Sequence, residues 1–300
     1  MNPIILCIDL DEWYHARWAS GSNRARYPEL VDLFQDYYHS DRPSGEIIKP
    51  TEYILKILRL KKIKATFFVL GEVAQWYPEL VRKIAKEGHE IACHGMHHQD
   101  LTMVSKEKFE EELFQSRKIL EKLSGKRVIG YRAPNLVITK WLSEVLINQS
   151  FQYDSSVCAG REILGKYQAQ ANISPNPYRV GKTLLEKGNS KLVEIPISTF
   201  PILKLPGAVS IASRIFGITW TKITLNTALK TGATCYYLHP YEFNPPPKLR
   251  NLSLKERIFL RRMGRPMEKI VKDLLEYYDG RIISARDYWE KFQDEENRKK

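Results

Sequence analysis

The sequence predicts an α/β protein built on a parallel sheet that closes into a barrel. Short apolar runs typical of buried strands alternate with longer segments of helical periodicity, and most connections between them are short. Such alternation places helices outside a parallel sheet, and 300 residues suit one barrel. No repeat at a fixed spacing and no linker rich in Gly or Ser divides the chain, so residues 1–300 are predicted to form a single domain.

Local signals define the predicted elements. Pro50 lies early in the first long helix, Ser105 caps another, and Gly88 and Gly125 stop two helices. The predicted strands are, in chain order, PIILCI, KATFFVLG, HEIACHG, RVIGYRAP, FQYDSSV, LVEIPIS, TCYYLHP and GRIISA. The predicted helices are PTEYILKILRLKKI, EVAQWYPELVRKIAKEG, KEKFEEELFQSRKILEKLSG, ITKWLSEVLINQS, TWTKITLNTALKTG and a long basic helix that precedes the final strand within residues 248–288.

The composition is that of a globular protein with a basic surface. Hydrophobic residues make up 43% and charged residues 27% of the chain, which allows a sizeable core. The net charge is +12, and residues 248–269 contain eight Lys or Arg against two Glu. This excess favours an anionic partner. Because no nucleic-acid motif accompanies it, we expect a membrane or phosphate surface.

Cysteine usage and hydropathy predict a cytoplasmic protein. The four cysteines form no CxxC pair, and those at 7, 93 and 235 lie in apolar runs, so buried and reduced thiols are expected. Asp9 interrupts the only candidate for a signal-peptide core, and no apolar run approaches the ~20 residues that span a bilayer. The predicted location is the cytoplasm, with peripheral contact at the inner face of the membrane.

Polar side chains follow nearly every predicted strand at the point where the strand ends. In parallel barrels these ends meet on one rim, where catalytic residues collect. The residues at these ends are Asp9, Asp11, His94, His97, His98, Arg132, Asp154 and His239. Each alone has an ordinary structural explanation, such as a hydrogen-bonded histidine or an Asp that caps a turn, but together they predict a functional site.

His94 and His98 are four residues apart, a spacing that lets both imidazoles share one metal ion. With one carboxylate they would form a site that leaves positions open for water and substrate. On an extended segment Asp9 and Asp11 point the same way, so that one can bind the metal while the other acts as a base. Two surface histidines in a His-rich loop are the alternative interpretation.

Taken in order, these motifs resemble the polysaccharide deacetylase family, carbohydrate esterase family 4, with its nodulation-factor-deacetylase-type domain. The resemblance covers residues 4–242. Within the family, the chain is similar to the subgroup that has D-x-E/D in place of two adjacent acids. The motifs are IDLDEW, TFFVLG, EGHEIACHGMHH, GYRAPN, YDSSV, EIPIS and YYLHPYEF. The fold that the resemblance implies is a distorted (β/α)7 barrel.

The resemblance implies a metal-dependent N-deacetylase, usually with zinc, that acts on amino sugars of a polysaccharide, an oligosaccharide or a lipid-linked glycan. Matched residue by residue, Asp9 is the catalytic base and Arg132 orients it by a charged contact. His239 is the general acid, and Asp154 is the carboxylate that holds it. The implied metal ligands are Asp11, His94 and His98. The implied oxyanion segment is Pro134 with the backbone amide of Asn135.

Departures from the family pattern leave alternatives open. The first motif is Asp-Leu-Asp, so Glu12 is an alternative to Asp11 as the metal ligand. Asn135 stands where the family has an aromatic residue, which changes the substrate contacts there but keeps the backbone amide. His97 is an additional histidine, which we expect next to the ligands or facing solvent.

Two segments are candidates for substrate contact. Residues 13–44 form a long aromatic loop, in which Trp13 either stacks on a sugar ring or covers the core. The apolar segment 200–220 either forms a buried lid or rests on a membrane to receive a lipid-linked sugar. The alternative functions are another C–N hydrolase, such as a deformylase or a cyclic-imide hydrolase, and a glycan-binding protein with a dead site. The sugar, the loaded metal and the oligomeric state stay open.

Overall fold

The computed structural model describes residues 1–20, 22, 25–160, 170, 172–200 and 204–298. Its strands are β1 (Ile4–Leu10), β2 (Thr66–Val69), β3 (Glu90–Cys93), β4 (Gly130–Tyr131), β5 (Tyr153–Asp154), β6 (Tyr178–Arg179), β7 (Val193–Glu194), β8 (Thr199–Phe200), β9 (Leu205–Pro206), β10 (Thr234–Leu238) and β11 (Ile282–Ile283). Its α-helices are α1 (Leu30–Leu33), α2 (Ile48–Leu60), α3 (Gly71–Trp76), α4 (Pro78–Lys86), α5 (Lys106–Ser124), α6 (Leu142–Asn148), α7 (Ser210–Phe216), α8 (Ile218–Ala228), α9 (Leu254–Phe259), α10 (Arg265–Tyr277) and α11 (Ala285–Asn297).

Within the described ranges, seven parallel strands form the curved sheet, in the spatial order β10, β1, β2, β3, β4, β5 and β7. β6 adds to β7 in the antiparallel direction, and β11 pairs with the start of β1. The sheet curls back on itself at Ile197, which bridges Cys158 on one side and Cys235 of β10 on the other. The predicted distorted (β/α)7 barrel is confirmed.

Side chains of β1 alternate between two apolar layers. Leu6 and Ile8 pack with α2 and α10, whereas Ile5 and Cys7 pack inside the barrel against residues of the neighbouring strands. Because a strand has a period of two, Asp9 falls on the inner face with Ile5 and Cys7. The alternation along one strand therefore places a carboxylate at the mouth of the barrel. All four cysteines are buried and form no disulfide, and those at 7, 93 and 235 were expected to be buried, reduced thiols.

Helix ends follow local chemistry. The hydroxyl of Ser105 accepts the N–H of Lys108 at 3.2 Å, and Gly125 ends α5 with a φ of 67°. Both predicted ends are confirmed, since a hydroxyl satisfies a free N–H at a helix start and glycine adopts left-handed geometry without strain.

Two predicted helices are divided in the structure. The predicted helix over EVAQWYPELVRKIAKEG breaks at Tyr77, because the residue before a proline avoids helical geometry and Pro78 then begins α4. The predicted long basic helix is two helices, α9 and α10, separated at Gly264, whose φ of 74° does not continue a helix. The predicted final strand is present as β11. The single-domain organisation stays a prediction.

We expect Gly130→Ala to lower the free energy of unfolding by about 1–3 kcal/mol, because an added methyl group overfills the barrel. Gly130 lies in β4, and its Cβ would come within 2.1 Å of Cζ of Tyr153 on the neighbouring strand. Urea denaturation followed by circular dichroism measures the change. A midpoint equal to that of the wild type would contradict the close approach of these two strands.

Candidate metal centre and active site

Most of the predicted site residues lie on one rim of the barrel. The carboxyl ends of β1, β3, β4 and β10 meet there because these strands run parallel. The rim carries Asp9 and Asp11 from β1 and its end, His94 and His98 after β3, Arg132 after β4 and His239 after β10. The folded chain therefore brings together residues that are far apart in sequence.

Asp11, His94 and His98 form a buried cluster. One donor atom from each residue lies within 4.8 Å of the other two, and Nε2 of His98 is 3.3 Å from Oδ2 of Asp11. Nδ1–H of His94 donates to the carbonyl of Arg132 at 2.8 Å, which leaves Nε2 free to bind a metal. Oδ1 of Asp11 is buried and has no hydrogen-bond partner among the described residues. An orphaned carboxylate oxygen beside two imidazoles fits a divalent cation such as Zn²⁺.

Glu12, the alternative ligand, lies outside this cluster. Its carboxylate is 3.5 Å from the hydroxyl of Tyr77, and its backbone N–H donates to Nδ1 of His15 at 3.0 Å. Burial, together with the nearby charge of Glu46, raises the pKa of Glu12 to about 8. A carboxyl group that is neutral at pH 7 is a poor metal ligand, so the geometry and the charge both favour Asp11.

Asp9 and Arg132 form a buried ion pair next to the metal cluster. Nη1 of Arg132 donates to Oδ1 of Asp9 at 2.6 Å, and both side chains are almost completely buried. Nε and Nη2 of Arg132 donate to the carbonyl and the hydroxyl of Ser155 at 2.9 and 2.8 Å. The guanidinium lies 4.3 Å from the ring centroid of Phe68. Held on all sides, Arg132 fixes the orientation of the Asp9 carboxylate.

His239 follows β10, and its carboxylate partner is Glu242. Oε2 of Glu242 accepts the backbone N–H of His239 at 3.0 Å and lies 3.4 Å from its Nδ1. Nε of Arg214, in α7, donates to Oε1 of Glu242 at 2.8 Å, and the side chains of this second ion pair are fully buried. Arg214 thus holds the carboxylate that in turn holds the histidine.

The surroundings of His239 favour its charged form. Burial alone would lower its pKa, but the carboxylates of Asp11, Glu242 and Asp9 outweigh burial and raise the pKa to about 9. The ring stacks on Tyr241, with centroids 5.1 Å apart, and 17% of the side chain remains exposed. A protonated imidazole that reaches the mouth of the barrel can donate a proton to a bound molecule.

The prediction that Asp154 holds His239 is wrong, because other groups occupy its carboxylate. Asp154 accepts the N–H and the hydroxyl of Ser156 at 3.0 and 2.7 Å, and it pairs with Glu194 across β5 and β7. Burial raises the pKa of Asp154 and raises that of Glu194 well above its usual range. The hydroxyl of Ser156 accepts the N–H of Ala133 at 2.8 Å. Asp154 therefore supports the start of the predicted oxyanion segment.

The predicted oxyanion segment has a strained backbone. Asn135 and Leu136 have φ values of 55° and 57°, a left-handed geometry that is uncommon outside glycine. Nδ2 of Asn135 donates to Oδ1 of Asp100 at 3.0 Å. A Cβ on Gly95 would lie 3.6 Å from Cγ of Pro134, so the segment packs on the loop between the two clustered histidines. Strain of this kind persists where surrounding contacts enforce it, and it is typical of functional sites.

Trp13 lies in an aromatic cluster beneath the long loop. It is 3% exposed, its ring stacks on Trp18 with centroids 6.2 Å apart, and it meets Tyr37 edge-on at 4.9 Å. Its indole N–H is 3.2 Å from both the hydroxyl of Tyr38 and Oε2 of Glu46. Neighbours occupy the ring and the N–H of Trp13, so its position favours the alternative that it covers the core, and stacking on a sugar stays a prediction.

The sequence alone does not predict roles for Glu72 and His15. Nδ1 of His97 donates to Oε2 of Glu72 at 2.8 Å, and Oε1 of Glu72 accepts the backbone N–H of His98 at 3.3 Å and lies 3.4 Å from Nε2 of His15. The ring of His15 stacks on that of His98, with centroids 5.5 Å apart. Burial would raise the pKa of Glu72, but His15 and His97 outweigh it and lower the pKa to about 2. The available signal was the position of Glu72 directly after TFFVLG, at a strand end.

Family models match two successive parts of the chain. Residues 44–153 match the polysaccharide deacetylase model, and residues 165–285 match a domain of unknown function. The first part contains the clustered His94 and His98. The second contains His239, Glu242 and Arg214, so the candidate site draws on both parts.

Curated relatives match shorter stretches. The peptidoglycan-N-acetylglucosamine deacetylase of Bacillus cereus is 37% identical over 81 residues, which are 27% of this chain and 30% of the relative. The peptidoglycan-N-acetylmuramic acid deacetylase PdaC of Bacillus subtilis is 39% identical over 106 residues, 35% of this chain and 23% of the relative. The chitooligosaccharide deacetylase of Rhizobium leguminosarum bv. trifolii is 41% identical over 70 residues, 23% and 33% of the two chains. The chain therefore spans less than half the length of these relatives.

Solved structures match almost the whole chain at low identity. A Mycobacterium smegmatis structure described as a polysaccharide deacetylase superposes with a TM-score of 0.68 at 19% identity, covering 98% of this chain and 92% of that one. The Puue allantoinase structure superposes with a TM-score of 0.61 at 14% identity, covering 96% and 88%. These two likenesses show that the fold is shared.

We expect Glu72→Gln to weaken the affinity for Zn²⁺ by about 10–100-fold, because groups that orient metal ligands contribute that much to affinity. Competition with a chelator, starting from metal-free protein, measures the dissociation constant. The matched control is Glu90→Gln, a buried carboxylate of β3 that contacts Thr66 and Arg286. Unchanged affinity in Glu72→Gln, or an equal loss in the control, would contradict a positioning role for Glu72.

We expect Glu242→Gln to lower the pKa of His239 below the value of about 9 that the wild type has. Removing a negative charge beside the imidazolium destabilises the charged form, so the ring loses its proton at a lower pH. An NMR titration of the His239 ring measures the shift. The control is Asp154→Asn, which leaves this pKa unchanged if Glu242 is the partner. A shift in the control and none in Glu242→Gln would restore the original assignment.

Proposed function

Because this chain belongs, through residues 44–153, to the polysaccharide deacetylase family, we propose that it is a metal-dependent hydrolase that removes N-acetyl groups from amino sugars of a glycan. The match agrees with the resemblance seen in the sequence motifs. The observation that carries the proposal is the convergence on one rim of a metal cluster, a carboxylate oriented by Arg132 and a charged His239. Amide hydrolysis uses an activator of the carbonyl, a base and an acid.

Asp11, His94 and His98 would hold the metal, and Zn²⁺ is the proposed ion because two imidazoles and a carboxylate match its preferred ligands. When bound, the ion polarises the acetyl carbonyl and makes a water more acidic. The surrounding residues hold His94 in the charge state and orientation that metal binding requires. Burial lowers the pKa of His94 well below its usual range, so the imidazole is neutral, and the carbonyl of Arg132 sets its orientation.

In this proposal Asp9 takes the proton of the attacking water. Nη1 of Arg132 binds one oxygen of the Asp9 carboxylate at 2.6 Å, which leaves the second oxygen for the water. The ion pair also prevents the carboxylate from rotating, because the remaining N–H groups of Arg132 are held by Ser155. A base held in one orientation avoids the cost of ordering it during the reaction.

The leaving amine needs a proton, and His239 is the proposed donor. Its raised pKa of about 9 keeps it charged at neutral pH, and Glu242 holds its ring. Activity then requires Asp9 without its proton and His239 with its proton. The pH–rate profile is therefore bell-shaped, and deprotonation of His239 causes the loss of activity on the alkaline side.

The oxyanion is proposed to lie against Pro134 and the backbone N–H of Asn135. A backbone donor suits this role because it is fixed before the reaction begins. Support for the assignment comes from the network around the segment. Ser156, itself bound to Asp154, accepts the N–H of Ala133, and Asp100 accepts a hydrogen bond from the side chain of Asn135.

The proposed substrate is an N-acetylated glycan of the cell envelope, either a poly- or oligosaccharide or a lipid-linked intermediate. The curated relatives are named for deacetylation of peptidoglycan and chitooligosaccharide.

The apolar segment 200–220 lies next to the candidate site. Its residues 201–203 lie outside the described residues, and the rest forms β8, β9, α7 and the start of α8. α7 supplies Arg214 to the acid side of the site. The proposed location is the cytoplasm, at the inner face of the membrane.

Acetate release separates this proposal from the alternatives. N-acetylated sugars and lipid-linked intermediates are incubated with protein of measured metal content, and acetate and formate are quantified. Acetate with a stoichiometric metal supports the N-deacetylase. Release of formate identifies a deformylase, and ring opening of a cyclic imide identifies a cyclic-imide hydrolase. Sugar binding without turnover identifies a glycan-binding protein with an inactive site.

We expect Asp9→Asn to lower turnover by about 10²–10⁴-fold, because the amide cannot accept the proton of the water. Metal content and sugar affinity stay at the wild-type level, since the Asp11, His94 and His98 cluster is intact. Steady-state kinetics, metal analysis and equilibrium binding measure the three quantities. The control is Asp32→Asn on the exposed side of α1. Turnover of Asp9→Asn equal to that of this control would refute the assigned base.

A further inference from the structure

One side of the barrel exposes apolar side chains on neighbouring helices. Phe216, at the end of α7, is 63% exposed, and Leu254 and Ile258 of α9 are 75% and 44% exposed. Leu254 and Ile258 are four residues apart, so they lie on the same face of α9. The ring of Phe216 meets that of Trp220 in α8, with centroids 5.9 Å apart. The exposed apolar surface therefore extends over three helices.

Hydrogen bonds join α7 to α9 and to the turn after α9. Nη1 of Arg214 in α7 donates to the carbonyl of Arg261 at 2.7 Å. Nη1 of Arg262 donates to the carbonyl of Arg214 at 3.4 Å, and it lies 3.9 Å from the position of a Cβ on Gly217. Phe216 directly precedes Gly217, so this aromatic side chain and the basic residues after α9 belong to one surface. We call α7, α9 and this turn the docking surface.

Basic residues dominate the stretch that contains α9. Its eight Lys and Arg are all exposed, namely Lys248, Arg250, Lys255, Arg257, Arg261, Arg262, Arg265 and Lys269. Among the described residues, Lys269 alone of the eight forms an ion pair, with Asp273 at 3.1 Å. Glu256, one of the two acidic residues here, is occupied in capping α9, where it accepts the N–H of Ser253 at 2.6 Å. Seven of the eight positive charges therefore have no ion-pair partner among the described residues.

We propose that the docking surface binds the headgroup region of an anionic lipid bilayer. Exposed Phe and Leu side chains insert at the level of the headgroups, while neighbouring Lys and Arg bind anionic lipid. A nucleic acid would use the positive charges but would gain little from Leu254 or Ile258 on the same face. None of the described helices has the length and apolar content needed to span a bilayer.

A single side chain, that of Arg214, connects the docking surface to the part of the candidate site that contains His239. Arg214 contacts the turn after α9 through Nη1 and contacts Glu242, the partner of His239, through Nε. A bilayer on this side would lie near the mouth of the barrel, where it could present a lipid-linked sugar. This link to the substrate rests on the proposed deacetylase function, whereas the docking itself does not.

Co-sedimentation with large unilamellar vesicles tests the docking. We expect the wild type to bind vesicles of 70% phosphatidylcholine and 30% phosphatidylglycerol at least about tenfold more tightly than pure phosphatidylcholine in 0.1 M salt. The double variant Lys255→Glu/Arg257→Glu should lose at least about tenfold in affinity, since each basic residue near the surface contributes about fivefold. Phe216→Ser/Leu254→Ser should lose at least about fivefold.

Matched controls lie on α5, which packs against α3 and α4, and just after its C-terminal end. They are Phe114→Ser, at a phenylalanine that is 50% exposed, and Lys122→Glu/Lys126→Glu, which changes the net charge by the same amount. Wild-type binding in these controls supports the proposal. No preference for anionic vesicles or an equal loss in the controls would overturn it. A loss with the charge variant but not with the apolar variant would also overturn it, because binding would then be electrostatic adsorption without insertion of Phe216 and Leu254.

Acetate release from a soluble N-acetylated sugar distinguishes the two proposals. Both docking variants should keep wild-type turnover on that substrate, which shows that they are folded. Vesicle binding without any acetate release would refute the deacetylase function and leave the docking intact. Acetate release without vesicle binding would refute the docking and leave the deacetylase function intact.

Discussion

The buried pairing of Arg132 with Asp9 is the interaction on which the geometry of the rim depends. A guanidinium with no access to water must have its N–H groups satisfied, and Arg132 takes Asp9 from β1 and Ser155 from beyond β5 as partners. Its carbonyl orients His94, which follows β3. One residue thereby fixes several strand ends relative to one another. Loss of a partner from such a buried pair typically costs about 3–5 kcal/mol, which keeps the arrangement in place.

A second buried arginine repeats this principle on the opposite side of the site. Arg214 holds Glu242, and burial would raise the pKa of that carboxyl if Arg214 and His239 did not outweigh it and lower the pKa to about 2. The charged carboxylate then keeps His239 protonated. The proposed base, Asp9, is thus held by an arginine directly, and the proposed acid, His239, is held by one through a carboxylate. Because Arg214 lies in α7, the orientation of His239 also depends on a helix of the docking surface.

Local sequence was sufficient for the barrel and for most of the rim. Strand ends are recognisable from apolar runs, and the acids, histidines and arginine that follow them could be listed before the fold was known. Two side chains have contacts that a pattern of strand ends does not include. Asp154 has the residue type expected of a partner for His239, but the adjacent Ser156 and, from β7, Glu194 occupy its carboxylate. Trp13 has the residue type expected for stacking on a sugar, but Trp18 and Tyr37 of the same loop cover its ring.

The sequence by itself determined which side chains follow the strands, because strand ends and the four-residue spacing of His94 and His98 are local properties of the chain. Only the tertiary structure decided how those side chains pair and which of them carry charge. Arg214 is distant in sequence from His239, and Glu72 contacts His15, His97 and His98 only after three loops have packed together. Burial sets the pKa of each group, and burial is a property of the packed molecule.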